Sequence, residues 1–488
     1  MRRNSTPLQR LSTPLALAGL LLLLPACSTG GSQPSTTTTP TASATSTTGS
    51  AAGSTGSGIP TGDSASNGAT AQPAAGAGNR GPDSGPWAVD DATWEAAQAA
   101  VEKMSVEEKA GQVMVATYDG ADSASIGTQV DQIQDLHLAG VIVMGRNVPT
   151  ITGTGQTQQD TPLGGAQNVD VAAMTAQIRD LQGALSQTHE DQEWPGIISV
   201  DQEGGTVTRL GSPLTEWPVT AEIGAADDPE LTRLAAEGLA SELAGLGFTM
   251  NNAPTADITM PGDAVILDRA YGSDVDLVSE QTAASVEGHN NAGVVSSAKH
   301  FPGHGGVTTD SHVGLPLQEM SVEELESTDW VPFQAAVEAG VPTVMMGHIA
   351  VEQWNPDVPA TLEPAAYQAL REDVGFHGVV VTDALDMGAL TGLVGPGLPV
   401  DTGVQTPAGA ALQAGADLLL MPADTPAAHA DIVQAVNSGA IPQERLDQAA
   451  TRVVAMQMRY SQLQDDLPVP PSEPGSHQDV VTRIEDAR

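Results

Sequence analysis

One stretch of this chain concentrates side chains that could carry out acid–base chemistry. From Lys299 to His312 there are three of the ten histidines of the chain, and Asp310 stands two residues before His312. Proline and glycine in this stretch predict a loop, in which side chains two residues apart can reach each other. A carboxylate beside an imidazole fixes its orientation and stabilises its cation. Such a pair could protonate a leaving group and later take a proton from water, which makes Asp310 and His312 candidate acid–base residues.

Two other interpretations of these histidines stay open at this point. One is a metal site, since His300 and His304 are four residues apart. Pro302 and Gly303 disfavour the helix that a zinc motif of this spacing needs, and no glutamate follows His300. The other is a surface loop whose histidines have no special role. We expect neither a metal ion nor an organic cofactor.

The elements that must position these side chains follow a regular pattern. From about residue 90 the chain alternates short apolar runs with segments of helical periodicity, which is typical of βα units and a parallel sheet. The predicted strands are 111–117, 140–144, 196–200, 248–253, 294–298, 343–346, 378–381 and 417–421. Helical segments between or after them include 171–187, 230–246, 278–292, 364–374 and 442–463.

Polar and charged residues repeatedly follow the predicted strands. They are Arg146, Asp201, Asp257, Lys299, His300, His348 and Asp383. A buried charge must be paired or serve a function, and active sites of (β/α)8 barrels lie just after the strands. The pattern therefore favours an α/β fold with a single (β/α)8 TIM barrel over residues 87–464. A doubly wound sheet is the alternative, because periodicity does not detect closure.

The amino terminus has the features of a secretory signal over residues 1–27. Arg2 and Arg3 form a basic start, an apolar run at 15–24 is too short to span a bilayer, and Ala26 precedes Cys27. Cys27 is the only cysteine of the chain, and its position is typical of a lipobox, where cysteine is acylated. We expect lipidation at Cys27 and an extracytoplasmic protein anchored to the outer face of the cell membrane. An ordinary signal peptide is the alternative.

Composition sets the remaining boundaries. Residues 28–86 are rich in Ser, Thr, Gly, Ala and Pro and predict a disordered tether, and residues 465–488 predict a loose tail. The chain carries 60 Asp and Glu against 18 Lys and Arg, a formal charge of −42. Such an acidic chain repels nucleic acid, so we expect no nucleic-acid partner.

Four motifs resemble one known family. The run KHFPGHG at 299–305, followed by Asp310-Ser311-His312, resembles the signature of family 3 β-N-acetylglucosaminidases among the glycoside hydrolases. Further runs agree in order: DQEGG at 201–205 with Arg209, LDRAYG at 267–272 and VTDAL at 381–385. The resemblance covers about residues 95–460. With Cys27, the chain is most similar to cell-wall lipoproteins of actinobacteria.

The resemblance implies a retaining exo-β-N-acetylglucosaminidase acting on peptidoglycan fragments, with small muropeptides as substrates and a monomeric enzyme. Asp383 is then the nucleophile, and Asp310 and His312 form the acid–base dyad. The residues expected to hold the sugar hydroxyls are Asp201, Arg209, Arg269, Lys299 and His300, with His348 as a further candidate. The family commonly has arginine where this chain has Thr206, which puts contacts at the pocket edge in doubt.

Other functions remain open at this stage. A neutral histidine would not repel an anionic acceptor, so phosphate could replace water and make the enzyme a phosphorylase. A family 3 β-glucosidase usually has a second α/β domain after the barrel, which we do not expect here. A non-catalytic carbohydrate-binding lipoprotein is the third alternative. By position alone, Asp383 could also be a helix cap after its strand.

Overall fold

The computed structural model describes residues 80–82, 84–151, 168–260, 265–400 and 403–488. The predicted signal with Cys27, and the tether as far as residue 79, lie outside the described residues. Among the helices in the described part of the chain, none combines the length and the apolar character that crossing a membrane requires.

Eight parallel strands form the centre of the fold. They are β1 Met114–Ala116, β2 Gly140–Val143, β3 Ile197–Val200, β4 Met250–Asn251, β5 Val295–Phe301, β6 Thr343–Met346, β7 Val379–Thr382 and β8 Leu419–Leu420. Each pairs with the next from β1 to β7, and β8 pairs with β1. A bridge between Val381 and Leu418 joins β7 to β8, so the barrel is nearly closed. The order never reverses, which confirms the α/β barrel and excludes the doubly wound sheet.

Helices surround the barrel. They are α1 Asp91–Val101, α2 Val106–Gln112, α3 Ser123–Leu136, α4 Val171–Leu185, α5 Thr220–Ala225, α6 Pro229–Leu246, α7 Val275–Asn291, α8 Val322–Ser327, α9 Val331–Glu338, α10 Pro364–Glu372, α11 Pro407–Ala414, α12 Thr425–Ser438, α13 Gln443–Leu463 and α14 Gln478–Ala487. Several start at an aspartate whose carboxylate accepts a backbone N–H of the first turn, as Asp170, Asp274 and Asp424 do.

Two short strand pairs lie outside the barrel. Gln202–Gly204 pairs antiparallel with Val207–Thr208 after β3. Leu317–Gln318 pairs parallel with Ala350–Val351 near β6. Both pairs shape the loops at the carboxyl ends of the strands.

All eight strands lie where the sequence predicts them, but several are shorter. The strand predicted from residue 111 begins at Met114, because helix α2 continues to Gln112. Gly111 makes that possible: a Cβ there would lie 1.8 Å from the carbonyl oxygen of Leu136. The close approach of α2 to the end of α3 therefore requires glycine at this position.

The prediction of a loose tail over residues 465–488 is wrong. Helix α14 buries Val480, Val481 and Ile484 in the main hydrophobic core. The segment before it is also fixed, because the Ser476 N–H donates to a carboxylate oxygen of the buried Glu242 at 3.1 Å. The three apolar positions follow helical spacing, a short amphipathic pattern that composition alone conceals.

Candidate active site

A cavity of about 260 Å³ opens at the carboxyl ends of the barrel strands. Seven of the eight residues predicted to form the site line it, and Asp310 lies directly behind one of them. The lining side chains with ionisable groups are Arg146, Asp201, Glu203, Arg209, Arg269, Lys299, His300, His312, Asp383 and Asp386. Four of the 18 Lys and Arg side chains of this acidic chain therefore meet here, beside four carboxylates.

Asp383 follows β7 directly and faces the cavity. Its Oδ1 accepts the N–H of Ala384 at 2.7 Å, which fixes one side of the carboxylate. Burial alone would raise the pKa of this carboxyl, but attraction to the imidazoles of His300, His348 and His312 outweighs burial and lowers it to about 2. The group is therefore an anion at neutral pH, as a nucleophile must be.

His348 does not line the cavity but contacts the backbone next to Asp383, which does. It is fully buried, and its Nε2–H donates to the carbonyl oxygen of Ala384 at 2.9 Å. Its Nδ1 lies 2.6 Å from the hydroxyl of Thr361. Burial lowers the pKa of His348, and the same Thr361 hydroxyl donates to the carbonyl oxygen of Gly347 at 2.9 Å. His348 thus holds the backbone directly after Asp383.

The predicted dyad is formed. His312 Nδ1–H donates to Asp310 Oδ1 at 2.8 Å, and the same oxygen accepts the backbone N–H of His312 at 2.9 Å. Burial alone would raise the pKa of Asp310, but these two hydrogen bonds together have the larger effect. The pKa is therefore lowered, and the carboxylate stays ionised. With Nδ1 occupied, Nε2 is the atom of His312 that can exchange a proton with a substrate.

Two contacts hold the loop that carries the dyad. The hydroxyl of Ser311 lies 3.0 Å from Nε2 of the buried His304. The Ser311 carbonyl oxygen accepts the N–H of Ala389 at 2.9 Å, from the segment after β7. At Gly388 a Cβ would lie 2.2 Å from the carbonyl oxygen of His312. The dyad and Asp383 are therefore joined through backbone that leaves no room for a side chain.

Glu203 is the central charged residue that sequence reasoning did not assign. Its Oε1 accepts from Lys299 Nζ at 2.6 Å and from Arg269 at 2.8 Å, and Oε2 accepts from Arg269 at 2.9 Å. Its side chain is 3% exposed. A signal existed: Asp201 and Glu203 alternate along an extended segment, so both point to one side. Two buried cations also required an anion.

Arg209 lines the cavity, and only some of its N–H donors are used within the protein. One terminal nitrogen donates to Asp201 Oδ2 at 2.8 Å, while Oδ1 accepts from Asn252 at 3.0 Å. The Nε and the other terminal nitrogen of Arg209 are buried and have no hydrogen-bond partner among the described residues. Buried donors usually find a partner, so these are available for substrate oxygens.

His300 is oriented by the residue that the sequence left unassigned, Asp257. Its Nδ1–H donates to Asp257 Oδ2 at 2.7 Å, and the His304 N–H donates to Asp257 Oδ1 at 2.8 Å. Burial alone would raise the pKa of Asp257, but attraction to His300 and the hydrogen bonds that the carboxylate accepts lower it overall. The ionised carboxylate keeps the hydrogen of His300 on Nδ1. Nε2 is then the ring nitrogen of His300 that is left to face a ligand in the cavity.

Thr206 occupies the pocket edge where the family commonly has arginine. Its hydroxyl donates to Asp268 Oδ2 at 2.6 Å, and neither side chain lines the cavity. Asp268 is therefore not the partner of Arg269, which pairs with Glu203 instead. The departure from the family pattern affects the rim and leaves the central residues in place.

The arrangement can carry out displacement at a carbon bearing a leaving oxygen. It offers an anionic carboxylate, an imidazole with one free nitrogen and a set of fixed donors and acceptors around them. Within the described ranges, the cavity contains no group of three His, Cys, Asp or Glu side chains whose ligand atoms lie within 4.8 Å of one another.

Comparison with known proteins agrees with this geometry. The model of the glycosyl hydrolase family 3 N terminal domain matches residues 105–456. A β-hexosaminidase of Stenotrophomonas maltophilia is 38% identical over 224 residues, which are 44% of this chain and 65% of that protein, just under two thirds of its length. A β-hexosaminidase of Xylella fastidiosa is 36% identical over 279 residues, covering 55% of this chain and 73% of the relative.

A solved structure is similar over a longer region. The family 3 β-N-acetylglucosaminidase from Paenibacillus superimposes with a TM-score of 0.66 at 31% identity. The superposition covers 79% of this chain and 68% of that one. The region matched by the family model, residues 105–456, includes all the residues that line the cavity.

Proposed function

This chain belongs to glycosyl hydrolase family 3, and on that premise we propose that it is a retaining exo-β-N-acetylglucosaminidase that removes terminal N-acetylglucosamine from peptidoglycan fragments. The observation that carries the proposal is the position of Asp383. Its ionised carboxylate lies at the end of β7 in a cavity that also contains His312 and a charged cluster around Glu203. The names of the similar proteins support the choice of sugar.

The reaction follows from the groups present. Asp383 attacks the anomeric carbon and forms a glycosyl ester while the bond to the leaving oxygen breaks. His312, protonated at Nε2 and stabilised by Asp310, gives its proton to that oxygen. The neutral imidazole then removes a proton from water, whose oxygen attacks the same carbon and releases Asp383. Two displacements retain the configuration at that carbon.

The cavity supports removal of single terminal units. Its volume of about 260 Å³ lies just below the roughly 300–1,000 Å³ of typical small-ligand sites. Asp201, Arg209 and His300 fix donors and acceptors at its base. Hydroxyls of one sugar ring can meet these groups, while the rest of the oligosaccharide extends toward solvent.

The nucleophile is tested with the nitrophenyl β-N-acetylglucosaminide. The Asp383→Ala variant should lose at least about 10³-fold in kcat/KM, because it removes the carboxylate that we propose forms the ester. Added azide should restore turnover and give the α-glycosyl azide, since azide then enters from the face that Asp383 vacates. The exposed Asp131→Asn variant on α3 is the control and should keep wild-type activity. Wild-type kinetics in Asp383→Ala would exclude the assignment.

The acid–base residue is tested separately. The His312→Gln variant should lose about 10²- to 10⁴-fold in kcat/KM, with a smaller loss for a substrate whose leaving group needs no proton. Azide should give the β-glycosyl azide here, because the ester still forms on Asp383. An equal loss for good and poor leaving groups would exclude His312 as the acid.

Location and natural substrate are part of the proposal. A single cysteine preceded by an apolar run supports an extracytoplasmic enzyme anchored by lipid at Cys27. A fatty-acid probe should label the wild type but not the Cys27→Ala variant. The unlabelled variant should appear in the soluble fraction. Incubation with defined muropeptides should release N-acetylglucosamine from the non-reducing end; failure on muropeptides with activity on the nitrophenyl substrate would reject the cell-wall role alone.

A further inference from the structure

Three potential metal ligands meet at the end of the barrel opposite the cavity. Glu108 lies on α2, His137 follows α3 and His189 follows α4. These elements precede β1, β2 and β3, so the cluster lies at the amino-terminal face of the strands, where residues usually serve stability. One ligand atom from each of the three lies within 4.8 Å of the other two. No part of the proposed reaction uses this cluster.

Among the described residues, each histidine of the cluster keeps one ring nitrogen without a hydrogen-bond partner. His137 Nδ1 lies 2.7 Å from the carbonyl oxygen of Thr188. A carbonyl only accepts, so Nδ1 carries the hydrogen and Nε2 keeps its lone pair. His189 Nε2 lies 2.8 Å from Gln112 Oε1 and donates in the same way, which leaves the lone pair on Nδ1.

A chain of amides fixes the orientation of Gln112, on which the His189 tautomer depends. Gln457 donates through Nε2 to the carbonyl oxygen of Pro195 at 2.9 Å. Its Oε1 therefore accepts from Gln112 Nε2 at 2.7 Å, and Gln112 Oε1 faces His189. Supporting hydrogen bonds of this kind are typical of histidines that bind metal ions.

Glu108 is also held by a hydrogen bond that leaves one of its carboxylate oxygens facing the histidines. Its Oε2 accepts the N–H of Ser105 at 2.7 Å in the capping box of α2, which leaves Oε1 toward the histidines. Oε1 lies 3.8 Å from His189 Nδ1, beyond hydrogen-bond reach. That nitrogen is buried without a hydrogen-bond partner among the described residues, and the His189 side chain is 3% exposed. A buried lone pair facing a carboxylate oxygen is unfavourable unless a cation lies between them.

We propose that Glu108, His137 and His189 bind one divalent transition-metal ion, with zinc as the best fit. Two imidazole nitrogens and one carboxylate oxygen form a ligand set that zinc accepts, with water as the fourth ligand. Zinc bonds of about 2.0–2.1 Å separate tetrahedral ligands by roughly 3.3 Å, so a small contraction of the side chains completes the site. Glu108 and His137 are partly exposed and give the ion access from solvent. The ion would join α2 to the ends of α3 and α4.

Two variants remove a ligand while keeping its structural role. His137 has φ 55°, a left-handed conformation that asparagine tolerates. In His137→Asn, the side-chain N–H₂ can still donate to the Thr188 carbonyl, but the Nε2 ligand is lost. In Glu108→Gln, the amide oxygen can still accept from Ser105 and preserve the capping box. Both variants should therefore fold.

The test uses the purified full-length chain after treatment with a chelator. Calorimetric titration with zinc chloride should show one tight site in the wild type, and zinc should raise the melting temperature where magnesium does not. His137→Asn and Glu108→Gln should weaken zinc binding at least about tenfold and remove the thermal shift. His312→Gln is the matched control: it removes a histidine from the opposite face and should keep both effects.

The outcome distinguishes this site from a simple pairing of imidazole and carboxylate. If zinc binds the folded His137→Asn and Glu108→Gln variants as tightly as the wild type, the proposal is wrong. It is also wrong if zinc leaves the melting temperature of the wild type unchanged and both variants melt below the wild type by an amount that does not depend on zinc. In that case the three side chains stabilise the fold without a metal ion.

Discussion

Glu203 holds the two buried cations of the cavity together. Burial opposes its ionisation, but attraction to Arg269 and Lys299 is stronger and keeps the pKa of the carboxyl well below its usual range. Lys299 is one of only three lysines in the chain, and it is the one placed in the barrel interior. Its position is explained by this carboxylate and by the substrate that the cluster faces.

Replacing Glu203 by glutamine tests this account at the level of one residue. The variant keeps the shape but leaves two buried cations without an anion, which should cost about 3–5 kcal/mol of unfolding free energy. KM should rise more than kcat falls, because on the proposed function these cations would hold the sugar and would not act on the reacting bond. Urea unfolding and steady-state kinetics measure both effects. Asp268→Asn at the rim is the control, and an equal change in that variant would contradict the central role of Glu203.

Two loops determine how the proposed acid–base dyad lies relative to the proposed nucleophile. The loop after β5 carries Asp310 and His312, and the segment after β7 carries Asp383 and Gly388. The backbone of one loop passes so close to Gly388 that a methyl group cannot be accommodated. The relative position of the proposed acid and the proposed nucleophile is therefore set by backbone contact between two loops.

The Gly388→Ala variant should separate these loops. The added Cβ would lie 2.2 Å from the His312 carbonyl oxygen, so the dyad must shift. A displacement of about 1 Å can cost about 10²-fold in rate, and we expect kcat to fall by that order with little change in melting temperature. Gly314→Ala in the same loop is the control, since its Cβ would lie 3.7 Å from Thr309. Equal kcat in both variants would show that the contact does not matter.

The barrel itself is closed by a buried ionic cluster at β8. Asp417 accepts from Arg371 at 2.6 Å, Arg445 at 2.8 Å and Arg452 at 3.0 Å. It also accepts the N–H of Val380 in β7 at 3.1 Å, close to the bridge that joins the last two strands. This carboxylate connects α10, α13 and both strands at the point of closure.

Asp417→Asn should therefore destabilise the fold more than most single changes. Three guanidinium groups would lose the anion between them, at a cost of about 3–5 kcal/mol in unfolding free energy. The exposed pair of Arg179 and Asp180 gives the control, because Asp180→Asn should cost less than about 1 kcal/mol. Urea denaturation of both variants measures the difference. Similar values for the two would mean that the cluster adds nothing to closure.

At the scale of the whole molecule, titration of buried groups makes stability depend on pH. Burial lowers the pKa of His289 and His304 to about 4 from the ordinary 6.5. Between about pH 6.5 and 4 these histidines bind protons in the unfolded chain but not in the folded chain. The free energy of unfolding therefore falls as pH falls. Burial raises the pKa of Asp329 to about 6 and also raises that of Asp386, and both groups act in the opposite direction. The histidines whose pKa burial lowers are more numerous: His189, His289, His304, His348 and His429.

A second loss of stability follows at lower pH. Asp383 and Asp417 have a pKa of about 2 in the folded chain against 3.8 ordinarily. Their contribution is complete above about 3.8 and is lost as pH falls through about 2. Urea unfolding at about pH 7, 5 and 3 should therefore give steadily decreasing free energies. Constant stability between about pH 7 and 5 would contradict the assignment of neutral buried histidines.

The sequence by itself determined the number and order of the strands, because apolar periodicity reports which residues are buried. It also placed the candidate catalytic residues, because these follow the strands in chain order and match a family pattern. It did not identify Glu203 as the partner of Lys299 and Arg269, since residues 203, 269 and 299 meet only when the barrel closes. The roles of His348 and Asp257, and the packing of α14, were also decided by tertiary contacts between segments far apart in sequence. The cluster of Glu108, His137 and His189 arises for the same reason: side-chain neighbours across a folded barrel depend on its geometry, which local patterns do not encode.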